Sequence, residues 1–180
     1  FYMITEDYKN LPEILPTFRD PDTYLYIREY HKKIMIGIFE PNAKNAFKKN
    51  GKVPDNFSFG EFKVDKKYTK MLHQLAAKRM PIVKNLKIEK YFSGPESFTA
   101  DSNFLLGETE EIKNFYVCCG FNSIGIGSSG GAGQAIAEWM IKGHTNQDLF
   151  SLDVKRFEKF NSSLNFIKER TTETLGNLFK

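Results

Sequence analysis

The sequence predicts a mixed chain of the α+β class, and three observations carry that reading. Aromatic and β-branched runs fill the first third, and a helically spaced segment follows them. Past residue 115 an apolar strand, a glycine-rich turn and a helix succeed one another.

Phe1 to Thr5 reads as a strand with no charged and apolar leader before it. The chain is therefore expected to begin inside an element and to be part of a longer protein. Tyr24 to Tyr30 and Ile34 to Phe39 are strand-like runs on either side of His31-Lys32-Lys33, which predicts a hairpin. Residues 41 to 60, with Pro41, Asn42, Asn50-Gly51 and Pro54, read as a loop. Asp65 can cap a helix that Pro81 would stop, with Tyr68, Met71, Leu72, Leu75 and Ala76 at helical spacing. Ile88 to Phe92 returns to strand character, and Gly94 to Ser97 reads as a turn. Phe115 to Cys119 is a short apolar strand. A Gly/Ser-rich turn leads from it to a helix through Trp139 that ends at Gly143, and a last helix is expected near residues 162 to 178.

Composition narrows the classes of function. A length of 180 residues holds one real core, and 41% hydrophobic with 27% charged residues is ordinary for a globular chain. The 17 Phe and 8 Tyr suit sheets and an apolar pocket. A net charge of +4 scattered along the sequence argues against nucleic-acid binding. No apolar run approaches the roughly 20 residues of a membrane helix. Cys118 and Cys119 are strand neighbours that point apart, so a disulfide between them is not expected. Both are read as small core residues in a reducing compartment. His31, His73 and His144 fit no metal-ligand spacing, and no metal is expected.

Chemistry concentrates between Gly120 and Gly133, which hold six of the chain's 13 glycines. Strand, glycine turn and helix let backbone N–H groups approach a cofactor, and the helix start adds about half a positive charge. Gly125-Ile-Gly-Ser-Ser-Gly130 is a literal GxGxxG. A dinucleotide fingerprint, however, needs a second strand ending in an acidic residue about 20 residues on. Asp148 and Asp153 stand near that distance without the strand, so an NAD-binding module is the weakest reading.

Several segments are similar to one known family. Cys119-Gly-Phe-Asn-Ser-Ile-Gly-Ile126, Gly130-Gly-Ala-Gly133 and Ala137-Glu-Trp-Met140 resemble the last flavin-contacting segment of the dimethylglycine and sarcosine dehydrogenases. These belong to the D-amino-acid-oxidase-like flavoenzymes. Gly94-Pro-Glu-Ser-Phe-Thr-Ala-Asp101 matches their GPESFTPD turn, with Ala100 in place of the usual Pro. Leu105-Leu-Gly-Glu108, Arg19-Asp-Pro-Asp22, Phe39-Glu-Pro-Asn-Ala43 and Glu169 to Gly176 match in the same order.

The resemblance implies a division of the chain and a reaction. Residues 1–92 would be part of an antiparallel-rich substrate-binding sheet. Residues 93–145 would be the carboxy-terminal segment of an FAD-binding domain, and residues 146–180 a linker and helical extension toward a downstream domain. The cofactor would be FAD, contacted by Gly120, Phe121, Asn122, Ser123, Ile124, Gly125 and Ile126. The reaction would be demethylation of a small N-methyl amine such as dimethylglycine or sarcosine by hydride transfer to flavin. Oxygen or an electron-transfer flavoprotein would be the acceptor, and folate would enter only through a domain outside this sequence. Cytoplasm, or the mitochondrial matrix in a eukaryote, would be the compartment.

Tyr26 matches a family tyrosine that faces the substrate, which would make it catalytic and substrate-binding. Its other reading is an ordinary strand aromatic. Arg28 could grip a substrate carboxylate, or serve as an exposed strand partner of Glu29 or Glu40. Asn122 and Ser123 could bond the flavin ring or only shape the turn. Thr99, Asp101 and Glu96 could border the pocket, although an Asx turn explains Asp101 equally well. A non-catalytic regulatory homologue with the same fold is the alternative to the enzyme.

Overall fold

The computed structural model describes residues 1–41, 43–47 and 52–177. In chain order the strands and helices are β1 (Tyr2–Thr5), β2 (Phe18–Asp20), β3 (Leu25–Tyr30), β4 (Lys33–Ile38), α1 (Lys66–Arg79) and β5 (Ile88–Phe92). They continue with β6 (Leu105–Glu108), β7 (Tyr116–Cys119), α2 (Gly125–Lys142) and α3 (Leu164–Asn177). The described residues divide into two compact units, Phe1–Pro95 and residues 96–177. The predicted α+β class holds, with antiparallel pairing in both units.

The first unit is a five-stranded antiparallel sheet in the order β2-β3-β4-β1-β5. Strand geometry sends alternate side chains to opposite faces. On one face Met3, Leu25, Ile27, Ile34, Ile36 and Ile38 are almost wholly buried against Leu72 and Ala76 of α1 and against Val83. Each such aliphatic burial stabilises by about 1.5–3 kcal/mol. The hairpin turn sits at His31 and Lys32, at φ 49 and 64, between the paired Tyr30 and Lys33. Two left-handed residues match the twist of the flanking strands. Neither is glycine, and the Glu29 carboxylate helps by accepting the Lys32 N–H at 2.9 Å.

Asp65 caps α1 as its position predicts, accepting the Lys67 N–H at 2.9 Å. Pro81 follows the end of the helix, where Met80 N–H still reaches the Ala76 carbonyl at 2.7 Å. Arg79, in the last turn, forks onto the buried carboxylate of Asp20 and so ties the helix to the end of β2. Thr23 first, and then Arg79, holds the Asp20 carboxyl below the usual carboxylate range against an opposing effect of burial.

The second unit is smaller in its regular structure. β6 and β7 form a two-stranded antiparallel ladder. Leu106, Ala132 and Ala135 make its buried centre, with Phe104, Phe121, Ile136, Leu149 and Leu152 around them. Gly107 stands at φ 116, and the Trp139 ring occupies the place of a side chain there, 2.9 Å from where a Cβ would be.

Three local expectations are corrected. The glycine run is not a long turn, because helix α2 already begins at Gly125 and the turn spans only Gly120–Ile124. Glycine's poor intrinsic helicity is overridden where the flanking alanines and Ile136 pack inward. Gly94 to Ser97 is irregular rather than a turn, and the reversal falls at Ala100–Ser102, where Asp101 can bond the Asn103 N–H. Cys118 and Cys119 are exposed and free, since β7 has only β6 beside it among the described residues. The predicted loop holds no helix or strand among its described residues, while Asn42, Asn50 and Gly51 lie outside them, as does the last residue of the predicted final helix.

Two outcomes follow for the first unit. Leu72→Ala empties a fully buried site between helix and sheet and should destabilise the protein by about 2–5 kcal/mol in denaturant unfolding followed by circular dichroism. Asp20 has a folded pKa below its unfolded one, so its contribution is complete above about pH 4 and is lost as pH falls through the lower, folded value. Asp20→Asn should therefore flatten the acid limb of a stability–pH curve and leave the protein less stable at neutral pH.

Candidate functional site

The alternation that builds the core also builds a second surface. On the face away from α1, one register row crosses all five strands: Arg19, Tyr26, Gly37, Tyr2 and Phe92. Tyr26 lies flat over Gly37, where a Cβ would meet its ring carbon at 2.0 Å. Tyr2 meets the Tyr26 ring edge-on at 5.4 Å and stacks on Phe92 at 4.7 Å. Phe39 completes the group at 5.1 Å from Tyr26. Glycine is the only residue that leaves room for this arrangement, which is the usual meaning of glycine inside a strand.

Arg28 is two residues along β3 from Tyr26 and so shares its face. Its guanidinium lies 5.4 Å from the centre of the Tyr30 ring and is otherwise exposed. Glu29 and Glu40 were its other candidate partners. Glu29 alternates to the opposite face and accepts from the Lys32 backbone instead. The face thus offers an apolar aromatic floor with a guanidinium at its margin.

The second group of predicted residues clusters in the turn that leads into α2. Gly120, Asn122 and Ser123 all have positive φ, at 67, 49 and 68. Asn122 is 1% exposed and directs its amide inward. Its oxygen accepts from Thr99 N–H at 2.9 Å, and its NH2 donates to the Gly120 carbonyl at 2.7 Å and the Thr99 hydroxyl at 3.1 Å. Phe121 also turns inward and stacks on Phe104 at 4.6 Å. The side chains of Phe121 and Asn122 therefore shape the turn, and what they can offer a ligand is backbone. Ser123 points outward and donates to Glu96. Ile124 and Ile126 are exposed, Ile126 almost completely.

Asp101 is engaged in an ion pair. It accepts two hydrogen bonds from Arg156, at 2.7 and 3.0 Å. Burial by itself would raise its pKa, but the Arg156 and Asn103 hydrogen bonds outweigh that and hold it below the usual carboxylate range. Thr99 is buried beneath the turn. Sequence reading missed Arg156 altogether, because Asp101 and Asn103, which it joins, lie more than fifty residues away. It also missed Gly37, although one glycine in the run Ile34-Met-Ile-Gly-Ile38 was a visible signal.

The start of α2 fits the polar edge of a flavin. Ile124, at its N-cap, supplies no side-chain cap, and no acidic residue occupies the first turn. A side chain added at Gly127, Gly130, Gly131 or Gly133 would meet nothing within 4 Å, so a ligand can approach the backbone there. Unspent N–H donors and the positive helix end suit carbonyl oxygens and developing negative charge. The GxGxxG residues lie within this helix, and no strand follows it among the described residues.

Comparison with known proteins gives a family. A family model described as FAD dependent oxidoreductase matches residues 1–139, and one described as FAD dependent oxidoreductase central domain matches residues 142–180. The chain is 36% identical to 4-methylaminobutanoate oxidase (formaldehyde-forming) of Paenarthrobacter nicotinovorans, over 94% of this chain and 20% of that protein. It is 33% identical to mitochondrial sarcosine dehydrogenase of Mus musculus, over 96% of this chain and 18% of the relative. It is also 33% identical to the mitochondrial pyruvate dehydrogenase phosphatase regulatory subunit of Mus musculus, over 99% and 20%. The chain thus spans about a fifth of the length of these relatives. The crystal structure of L-proline dehydrogenase from P. horikoshii superposes with a TM-score of 0.68 at 23% identity, covering 88% of this chain and 39% of that one. That likeness establishes the fold, and the family match over residues 1–139 shows that this chain belongs to the FAD-dependent oxidoreductases.

Proposed function

We propose that this chain is the part of an FAD-dependent amine oxidoreductase that binds a small N-methyl amino acid and contacts the flavin through Gly120–Ile126. The observation that carries the substrate reading is the face bearing Tyr26, Tyr2 and Phe92 over Gly37, with Arg28 on the same side. A small N-methylated amino acid has an apolar, positively charged end and a carboxylate end. Aromatic faces suit the first through cation–π and apolar contact. A guanidinium suits the second through paired hydrogen bonds.

Each residue then has a role in its own chemistry. Tyr26 orients the amine with its ring and its phenol, which can donate or accept. Arg28 fixes the carboxylate and so sets which carbon is presented. FAD, when bound, supplies the acceptor for the hydride lost from the substrate carbon. The start of α2 stabilises negative charge by its dipole and its free N–H groups, both already oriented before reaction. Phe121 and Asn122 hold the turn from beneath, while Gly120, Ser123, Ile124, Gly125 and Ile126 present backbone or outward side chains. The names of two relatives support an N-methyl amino acid as substrate. The acceptor is oxygen or an electron-transfer flavoprotein.

A second reading is favoured by the match to a phosphatase regulatory subunit over 99% of the chain. In that case the fold persists without turnover. Anaerobic addition of sarcosine, dimethylglycine or 4-methylaminobutanoate to the native protein that carries this chain separates the two. Bleaching of the flavin absorption by one of them supports the enzyme. A bound flavin that none of them bleaches supports the regulatory reading.

Two substitutions test the site. Gly37→Ala places a methyl where the Tyr26 ring lies and should cut kcat/KM about 100-fold in steady-state kinetics, as an ångström of misplacement does. Arg28→Lys keeps the charge and loses the fork, and should raise KM for the amino acid more than it lowers kcat.

A further inference from the structure

A continuous chain of hydrogen bonds runs beneath the Gly120–Ile124 turn. The Asn103 carbonyl accepts from Arg156 Nη2 at 2.8 Å and from the Thr99 hydroxyl at 2.8 Å. The Thr99 oxygen accepts from Asn122 Nδ2 at 3.1 Å, and Asn122 Nδ2 also donates to the Gly120 carbonyl at 2.7 Å. Arg156 is anchored at its other end, where Nη1 donates to the Leu152 and Asp153 carbonyls at 2.9 and 3.0 Å. Nε and Nη2 grip Asp101 at 2.7 and 3.0 Å.

This network has little freedom to rearrange. Thr99 and Asn122 are buried, and the Arg156 side chain is 10% exposed. A buried amide, hydroxyl or guanidinium that loses its partner has no water to replace it. Hydrogen bonds in series also polarise one another. Above the network, Asn122 and Ser123 hold left-handed backbone, which non-glycine residues keep only where their surroundings enforce it. Helix α2 has no side-chain cap of its own, so the direction of its first N–H groups follows the turn.

We infer that Thr99 and Arg156 are positioning residues for the flavin, acting through Asn122 on the turn that presents the start of α2. The inference rests on the proposed contact of this turn with FAD. It gives the central-domain segment, residues 142–180, a part in the flavin's properties through Arg156. Asp101 belongs to the same device as the carboxylate that aims the guanidinium. Neither Thr99 nor Arg156 touches the flavin in this reading.

The test separates hydroxyl from methyl at Thr99. Thr99→Val keeps the methyl that packs 2.8 Å from where a Gly120 Cβ would lie and removes the hydroxyl, whereas Thr99→Ser does the reverse. Both are made in the native protein that carries this chain, and the flavin's visible spectrum and two-electron midpoint potential are recorded with the melting temperature. Thr99→Val should shift the absorption maxima and move the potential by about 30 mV, a tenfold change in the ratio of affinities for oxidised and reduced flavin. Thr99→Ser should restore both. Arg156→Lys keeps a positive charge beside Asp101, cannot also reach Asn103 and the two upstream carbonyls, and should shift both readouts as Thr99→Val does. It decides the question if Thr99→Val does not fold. Variants that melt earlier but keep the wild-type spectrum and potential would reduce the network to a support of the fold and overturn the inference alone. A wild-type protein that neither carries nor takes up flavin would overturn the proposed function with it.

Discussion

The two-residue period of the first sheet is the constraint on which the rest depends. Burying Met3, Ile27, Ile36 and their neighbours against α1 fixes the register of five strands. A slip of one residue would send that apolar set to the opposite face. The same constraint therefore decides that Tyr2, Tyr26, Arg28 and Phe92 stand together on the side away from the helix. The aromatic surface needs no separate folding instruction. It is the complement of the core.

Glycine makes that complement useful. Flat contact of the Tyr26 ring with the backbone requires a strand residue without a Cβ, and Gly37 stands directly across from Tyr26 in the register. Gly107 does the same for Trp139 in the second unit, at a φ that glycine tolerates. In both places a large ring replaces the missing side chain, so little packing is lost. Both glycines also fix where an aromatic ring can lie. The glycines of α2 differ, since Gly127, Gly130, Gly131 and Gly133 have open space beside them. They cost helix propensity and leave the backbone approachable.

The second unit relies on polar contacts more than the first. Its buried centre is formed by Leu106, Ala132 and Ala135, two of them small. Fewer apolar atoms leave more of the ordering to hydrogen bonds. The Asn122 amide and the Arg156 guanidinium supply them, each joining segments distant in sequence. A turn held this way is stiff, which suits a segment that must present N–H groups in a fixed direction. Preorganised donors stabilise developing charge without having to reorient.

Much of the architecture was legible from residue order alone. Strand-like runs marked β1, β3, β4 and β5 but not the short β2, Asp65 and Pro81 bounded α1, and Gly143 marked the end of α2. These signals are local, because a cap, a breaker or an alternation acts within a few residues. The glycine run around residues 125–133 misled, since poor helix formers can sit in a helix that packs through Ala132, Ala135 and Ile136. Tyr26 and Arg28 could be named from the sequence as candidates, while their shared face and the Gly37 cradle depend on register across strands. Asn122 could be placed in a turn, but not turned inward onto Thr99. Arg156 carried no sequence signal, because its four partners come together only when the chain from Asp101 to Asp153 has folded. The sequence by itself determined most of the elements and several of their ends, where the physics is local. Which side chains share a face, and which are spent on one another, only the tertiary structure decided, because hydrogen bonding and close packing join residues that the chain keeps far apart.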